Sequence, residues 1–150
     1  MPSPFRKHQI IAGNLTAHLI FYVKKHKLGQ VLPAPMDVHF GEKNIVQPDL
    51  IFVSNARKSI LEDYVKGAPD FVIEILSFGT KSKDFGEKKE LYGKHDVLEY
   101  WIVDPNEKTV AVVKNEQNKL VSHKKYTEKD VIKSLEIKGF EMDVKAIFEE

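Results

Sequence analysis

The residue whose setting most demands a chemical explanation is Glu74. Its strand neighbours Val72, Ile73, Ile75 and Leu76 are all apolar. An unpaired carboxylate in such surroundings costs several kcal/mol in desolvation, so a cation, a hydrogen-bond network or an open strand end must compensate. One reading is a salt bridge to a lysine from a facing helix; the other is a metal-binding or catalytic role. Asp49 stands at the head of a second apolar run, directly after Pro48. Pro-Asp is a common turn dipeptide, so Asp49 taken alone says little. Taken with Glu74 it says more. Two carboxylates at corresponding heights on adjacent strands could hold one hard cation, and Mg²⁺ suits two carboxylates with water in its other positions. Asp70, after Pro69, mirrors Asp49, so the sequence leaves open which aspartate converges on Glu74.

Asp84, Lys88 and Tyr92 follow at i, i+4 and i+8, a spacing that stacks them on one face of a helix. By itself this is a solvated face with a weak ion pair. The helix, however, comes straight after the Glu74 strand through Ser77-Phe78-Gly79-Thr80. Its first turns can therefore lie beside the strand end, where a lysine could reach water held by a cation. Lys81, Lys83, Lys88, Lys89 and Lys94 make a local basic cluster; such residues are usually just solvated, but here they could meet phosphates. The six histidines offer no helical zinc pair and no His-Glu-x-x-His, and are expected to be surface or core residues. Phosphate-cradling glycine loops and the Gly-x-Ser-x-Gly elbow are both absent.

The elements that must position these groups can be read from periodicity. Ile10, Ile11, Leu15, Leu19, Ile20 and Val23 form the stripe of an amphipathic helix from His8 to about His26, with Gly29 as its stop. Pro33 and Pro35 mark an extended passage to a short strand at Val38 and Phe40. Leu50 to Val53 and Phe71 to Leu76 are short, β-branched runs bounded by proline, as in strands buried on both faces. Between them, residues 54–68 suggest a loop with a helical turn. Asp84 with Glu87 resembles a capping box opening a helix that ends near His95. Tyr100 to Val103, a turn at Asp104 to Lys108, and Thr109 to Val113 predict a hairpin with Trp101 in the core. Leu120 to Tyr126 predicts an edge strand, and Val144 to Phe148 a closing helical turn. The order predicts an α/β fold built on one mixed sheet flanked by helices.

The whole chain sets further bounds. Its 150 residues suit one domain. With 23 basic and 22 acidic residues the net charge is +1, so a nucleic-acid site must be a local patch. The absence of cysteine excludes disulfides and thiolate metal sites. The N-terminus lacks the apolar core of a signal peptide, and a cytoplasmic location is the default expectation.

Gln47-Pro48-Asp49-Leu50, Gly67-Ala68-Pro69-Asp70, Glu74-Ile75-Leu76-Ser77, the Asp84, Lys88, Tyr92 series, and Glu99-Tyr100-Trp101-Ile102-Val103-Asp104-Pro105 together resemble the Uma-two family. Its members are restriction-endonuclease-like proteins of the PD-(D/E)XK superfamily. The resemblance implies a restriction-endonuclease-like domain over residues 1–150 that lacks the family's N-terminal hairpin and the glutamate it carries. It places the superfamily's aspartate on Asp49 and its second acid on Glu74. Leu76 occupies the usual lysine position, so that lysine falls on Lys88 in the following helix. The implied chemistry is Mg²⁺-dependent hydrolysis of DNA phosphodiester bonds, with Mn²⁺ as a possible substitute. Asp49 and Glu74 would hold the metal, Lys88 would orient the attacking water, and Asp84 and Tyr92 would hold Lys88. Lys81, Lys83 and Lys89 are the implied DNA contacts. The first helix and the hairpin could support a homodimer. The alternative is a nuclease-fold protein without catalysis that binds DNA or a protein partner. A third reading is a structural domain whose helix lysines simply neutralise Glu74.

Overall fold

The computed structural model describes residues 5–77 and 82–150, and of residues 82–84 the backbone alone. The first helix, α1 (Arg6–His26), buries Ile11, Leu15, Leu19 and Val23 along one stripe. It ends at Lys27, which takes a left-handed conformation (φ 54°), so the stop comes two residues before Gly29. That glycine serves the next element instead. It opens β1 (Gly29–Pro33), and a Cβ built on it would stand 2.1 Å from the Val53 carbonyl oxygen. Gly29→Ala is therefore expected to part the strands locally and destabilise the fold by about 1–3 kcal/mol, the usual cost of overpacking, measurable by urea unfolding.

The central sheet has six strands in the order β1, β4 (Leu50–Ser54), β6 (Phe71–Ile75), β7 (Glu99–Asp104), β8 (Thr109–Glu116) and β9 (Lys119–Tyr126). All neighbours are antiparallel except β6 and β7, which run parallel. A parallel pair needs a crossover, and α2 (Ser82–Lys94) lies in that connection.

Alternation along the strands sorts the core into two layers. Leu50, Phe52, Phe71, Ile73, Ile75, Trp101 and Val103 pack with the α1 stripe. Ile51, Val53, Val72 and Tyr100 face the other way, toward Tyr92 of α2. On that second side lies a small sheet of β3 (Asn44–Val46), β2 (Val38–Phe40) and β5 (Val65–Lys66). On the α1 side, β10 (Val131–Lys133), β11 (Glu141–Asp143) and α3 (Val144–Phe148) close the core through Ile132, Met142, Val144 and Ile147.

The mixed α/β architecture is the one the sequence predicts, with three departures. The described residues form three sheets rather than one, because strands of two or three residues carry too few side chains to display a period. The passage at Pro33 is a paired edge strand, where proline's missing N–H is tolerated. The helix after Glu74 already begins at Ser82, so Asp84 lies inside it and is not its cap. Residues 54–68 do hold a helical turn, a 3₁₀ segment at Asn55–Ile60. No helix among the described residues is long and apolar enough to cross a membrane.

Candidate active site

Strand register settles which aspartate meets Glu74. In the antiparallel β4–β6 pair, Leu50 lies opposite Ile73 and Ile51 opposite Val72. One step further along the same register sets Asp49 opposite Glu74. The Asp49 carboxylate locks onto this strand end, with Oδ2 accepting the Ile75 N–H at 2.7 Å. Asp70 is committed elsewhere. Its Oδ1 accepts the Ser54 N–H at 2.7 Å, and its Oδ2 lies 3.7 Å from Nε of Arg57. Arg57 in turn donates to the carbonyls of Ala68 and Asp96, so Asp70 belongs to a structural brace.

Glu74 is 5% exposed, and the helix predicted to reach it does so. Lys88 Nζ lies 3.1 Å from Oε1 and 3.0 Å from Oε2, straddling the carboxylate. The Tyr92 hydroxyl donates to Oε2 at 2.7 Å. Tyr92 thus holds Glu74 directly, where the resemblance implied that it holds Lys88. Lys88 is 41% exposed along its side chain, so its ammonium touches both the carboxylate and solvent. Burial pushes the Glu74 carboxyl above the usual glutamate range, against the lowering effects of Lys88 and Tyr92, and Asp49 pushes it further up. Burial first, then the same two carboxylates, suppresses ionisation of the Tyr92 and Tyr100 phenols. Burial is the main cause in each case; Asp49 adds to it, and Lys88 opposes it at Glu74.

His8, a residue read from sequence as ordinary surface or core, is the missing member. It projects from the first turns of α1, and its Nε2 lies 3.2 Å from Asp49 Oδ1. The hydrogen bond to Asp49 raises the His8 pKa above its ordinary value of 6.5; burial opposes the rise, and the charges of Asp49 and Glu74 add to it. For a raised histidine, the pair's stabilisation is complete below the ordinary histidine pKa and is lost as pH climbs through the folded value. In Asp49→Asn, the His8 imidazole is expected to titrate at lower pH than in wild type, as followed by its ring proton shifts. An equal or higher midpoint would contradict the contact.

His8 and Asp49 also line an open groove of about 510 Å³ with Ala12, Thr16, Pro33 and Ala34, giving the carboxylate an approach from outside. Lys89 faces a different groove, shared with Lys94, Lys119 and Leu120. Lys81 lies outside the described residues, as do the side chains of Lys83 and Asp84. Asp49, Glu74, Lys88 and Tyr92 are thus brought together as expected, and His8 joins them. Among the described residues, no three His, Cys, Asp or Glu side chains form a ready-made metal cage.

Comparison with known proteins gives the class to which this fold belongs. Residues 1–145 match the Uma2 family, described as "Putative restriction endonuclease", and the chain belongs to that family. Among solved structures it resembles the crystal structure of "a putative nuclease belonging to DUF820" from Anabaena variabilis ATCC 29413. The TM-score is 0.81 at 22% identity, over 98% of this chain and 83% of that one. No curated protein matches the chain.

Proposed function

We propose that this protein is a Mg²⁺-dependent endonuclease that hydrolyses DNA phosphodiester bonds at the Asp49–Glu74–Lys88 site. The observation that carries the reading is the pairing of two carboxylates from neighbouring strands at one sheet end, with Glu74 almost fully buried. Neutralisation by Lys88 accounts for Glu74 alone; Asp49, set beside it and raising its carboxyl further, supplies the second carboxylate that a hard cation would use.

The donor set fits a hard divalent cation. Two carboxylates can anchor Mg²⁺ while water fills the remaining positions, so no three-residue cage is required. Asp49 and Glu74 would hold the ion, and Mn²⁺ is an acceptable substitute. When bound, such a cation polarises the phosphoryl oxygens and offsets the charge that builds on them. Asp49, fixed by the Ile75 N–H and His8, presents its oxygens without a search over rotamers. Lys88 stands where its ammonium can turn from Glu74 to the attacking water or to a phosphate oxygen. Tyr92 keeps Glu74 in place while it does so. Lys89, Lys81 and Lys83 are the proposed contacts to the DNA backbone, and Asp84 a support for Lys88. We further propose a single domain over residues 1–150, a cytoplasmic location and a homodimer that cuts both strands.

Nicking of supercoiled plasmid tests this reading. Wild type is expected to nick in Mg²⁺ and not in EDTA, and Lys88→Ala to lose about 10²-fold or more in rate. Equal behaviour of wild type and variant would remove catalysis from this set. It would then favour the second reading, a non-catalytic binding protein, which the clasp of Lys88 on Glu74 would suit.

A further inference from the structure

Tyr100 carries a hydroxyl that none of the Asp49, Glu74, Lys88 and Tyr92 contacts uses. It sits in the middle of the central sheet on β7, opposite Val72 of β6 and Val113 of β8, and is 0% exposed. Its ring meets that of Tyr92 edge-on, with centroids 5.0 Å apart. Packing of this kind asks only for an aromatic ring, and phenylalanine would supply it. Yet the side chain carries a hydroxyl, and that oxygen has no hydrogen-bond partner among the described residues.

A buried polar atom without a partner is costly, and native proteins keep few of them. This one occupies a telling place. Tyr100 lies on the same face of the sheet as Glu74, and its hydroxyl senses the charges of both Glu74 and Asp49. Neither carboxylate takes its proton. Tyr92 donates to Glu74 Oε2, while Ile75 N–H and His8 occupy Asp49. The phenol is held in its O–H form by burial and by those two charges. It is therefore a buried O–H on the carboxylate face of the sheet, with no acceptor among the described residues.

We propose that Tyr100 is a further residue of the site, donating its hydrogen bond to an oxygen in the hydration shell of a divalent cation held by Asp49 and Glu74. This rests on the proposed metal-dependent reading and adds to it a named outer-shell donor. Water on a cation is more acidic and more strongly oriented than free water, yet each such oxygen keeps a lone pair for a neighbouring donor. A donor placed to receive that lone pair makes hydration of the ion part of the protein's fit, and losing such a partner weakens metal binding by about tenfold or more.

Tyr100→Phe removes one oxygen and leaves the ring, so the test is simple. Mn²⁺ binding to the full chain is measured by electron paramagnetic resonance, and unfolding temperature is measured in EDTA. The expected result is a Mn²⁺ dissociation constant raised about tenfold, with an unfolding temperature in EDTA equal to or above wild type. A merely structural hydroxyl predicts the reverse pattern. Unchanged Mn²⁺ affinity overturns the assignment while leaving the proposed nuclease site intact. A Tyr100→Phe protein less stable than wild type in EDTA also overturns it, since the hydroxyl would already serve the metal-free fold. Wild type that binds no Mn²⁺ at millimolar concentration defeats the metal reading of the site, and this inference with it.

Discussion

Glu74→Gln is expected to abolish strand nicking, by about 10³-fold or more, while making the metal-free protein at least as stable as wild type. The two effects have opposite signs because they draw on the same charge. In the metal-free fold, burial raises the Glu74 carboxyl above its ordinary value of 4.5. Between that ordinary value and the raised one, the folded state binds more protons than the unfolded state, so stability falls as pH rises through the window. Glutamine cannot ionise and escapes that loss. It can still accept the Tyr92 hydrogen bond through its carbonyl, and Lys88, 41% exposed along its side chain, can turn to solvent. Urea unfolding from pH 4 to 8 in EDTA should therefore show variant and wild type converging at acid pH and separating above it. Nicking in Mg²⁺ should be lost at every pH, because half the anionic anchor is gone. A variant that nicks normally, or one destabilised at neutral pH, would contradict the account.

The second large effect concerns stability alone. Glu99 is 0% exposed and sits two residues before Trp101 on β7. Its carboxylate collects the Trp101 indole N–H at 2.8 Å, the Ser134 hydroxyl at 2.8 Å, and the backbone N–H groups of Leu135 and Glu136 at 3.0 and 2.9 Å. It is the anchor that holds the chain leading from β10 to β11 against the sheet. Glu99→Ala strands four donors at once. Removing one member of a buried charged network of this kind typically costs about 3–5 kcal/mol, on the order of 10 °C in unfolding temperature for a chain of this length. Differential scanning calorimetry gives the answer, and a shift within a degree of wild type would show that water can replace the carboxylate. The effect should not depend on Mg²⁺, which separates this acid from Glu74.

The contrast between these two acids shows what the sequence can carry. Glu74 was legible because an ionisable residue among Val72, Ile73 and Ile75 violates the pattern of a buried strand, and such violations collect at functional sites. Lys88 and Tyr92 were legible because helical spacing is a local property. Choosing Asp49 over Asp70 required strand register, a pairing between distant segments that neither Pro-Asp dipeptide encodes. His8 escaped for the same reason: it reaches Asp49 only after α1 has docked on the sheet, and no spacing announces that. Tyr100 reads as an ordinary strand aromatic until the surroundings of its hydroxyl are known. Glu99 stood in plain view beside Tyr100 and Trp101, but its partners lie far along the chain in a segment without periodicity. β10 and β11 were missed there as well, each three residues long.

The family assignment and the six-stranded sheet set the frame, and the carboxylate pair at its end is where function is proposed. The anomalous scattering of a crystal grown in Mn²⁺ addresses that pair directly. One peak is expected within coordination distance of both Asp49 and Glu74, with Lys88 drawn off the glutamate. A map with no peak there, and Glu74 still clasped by Lys88 and Tyr92, would contradict the proposed metal site.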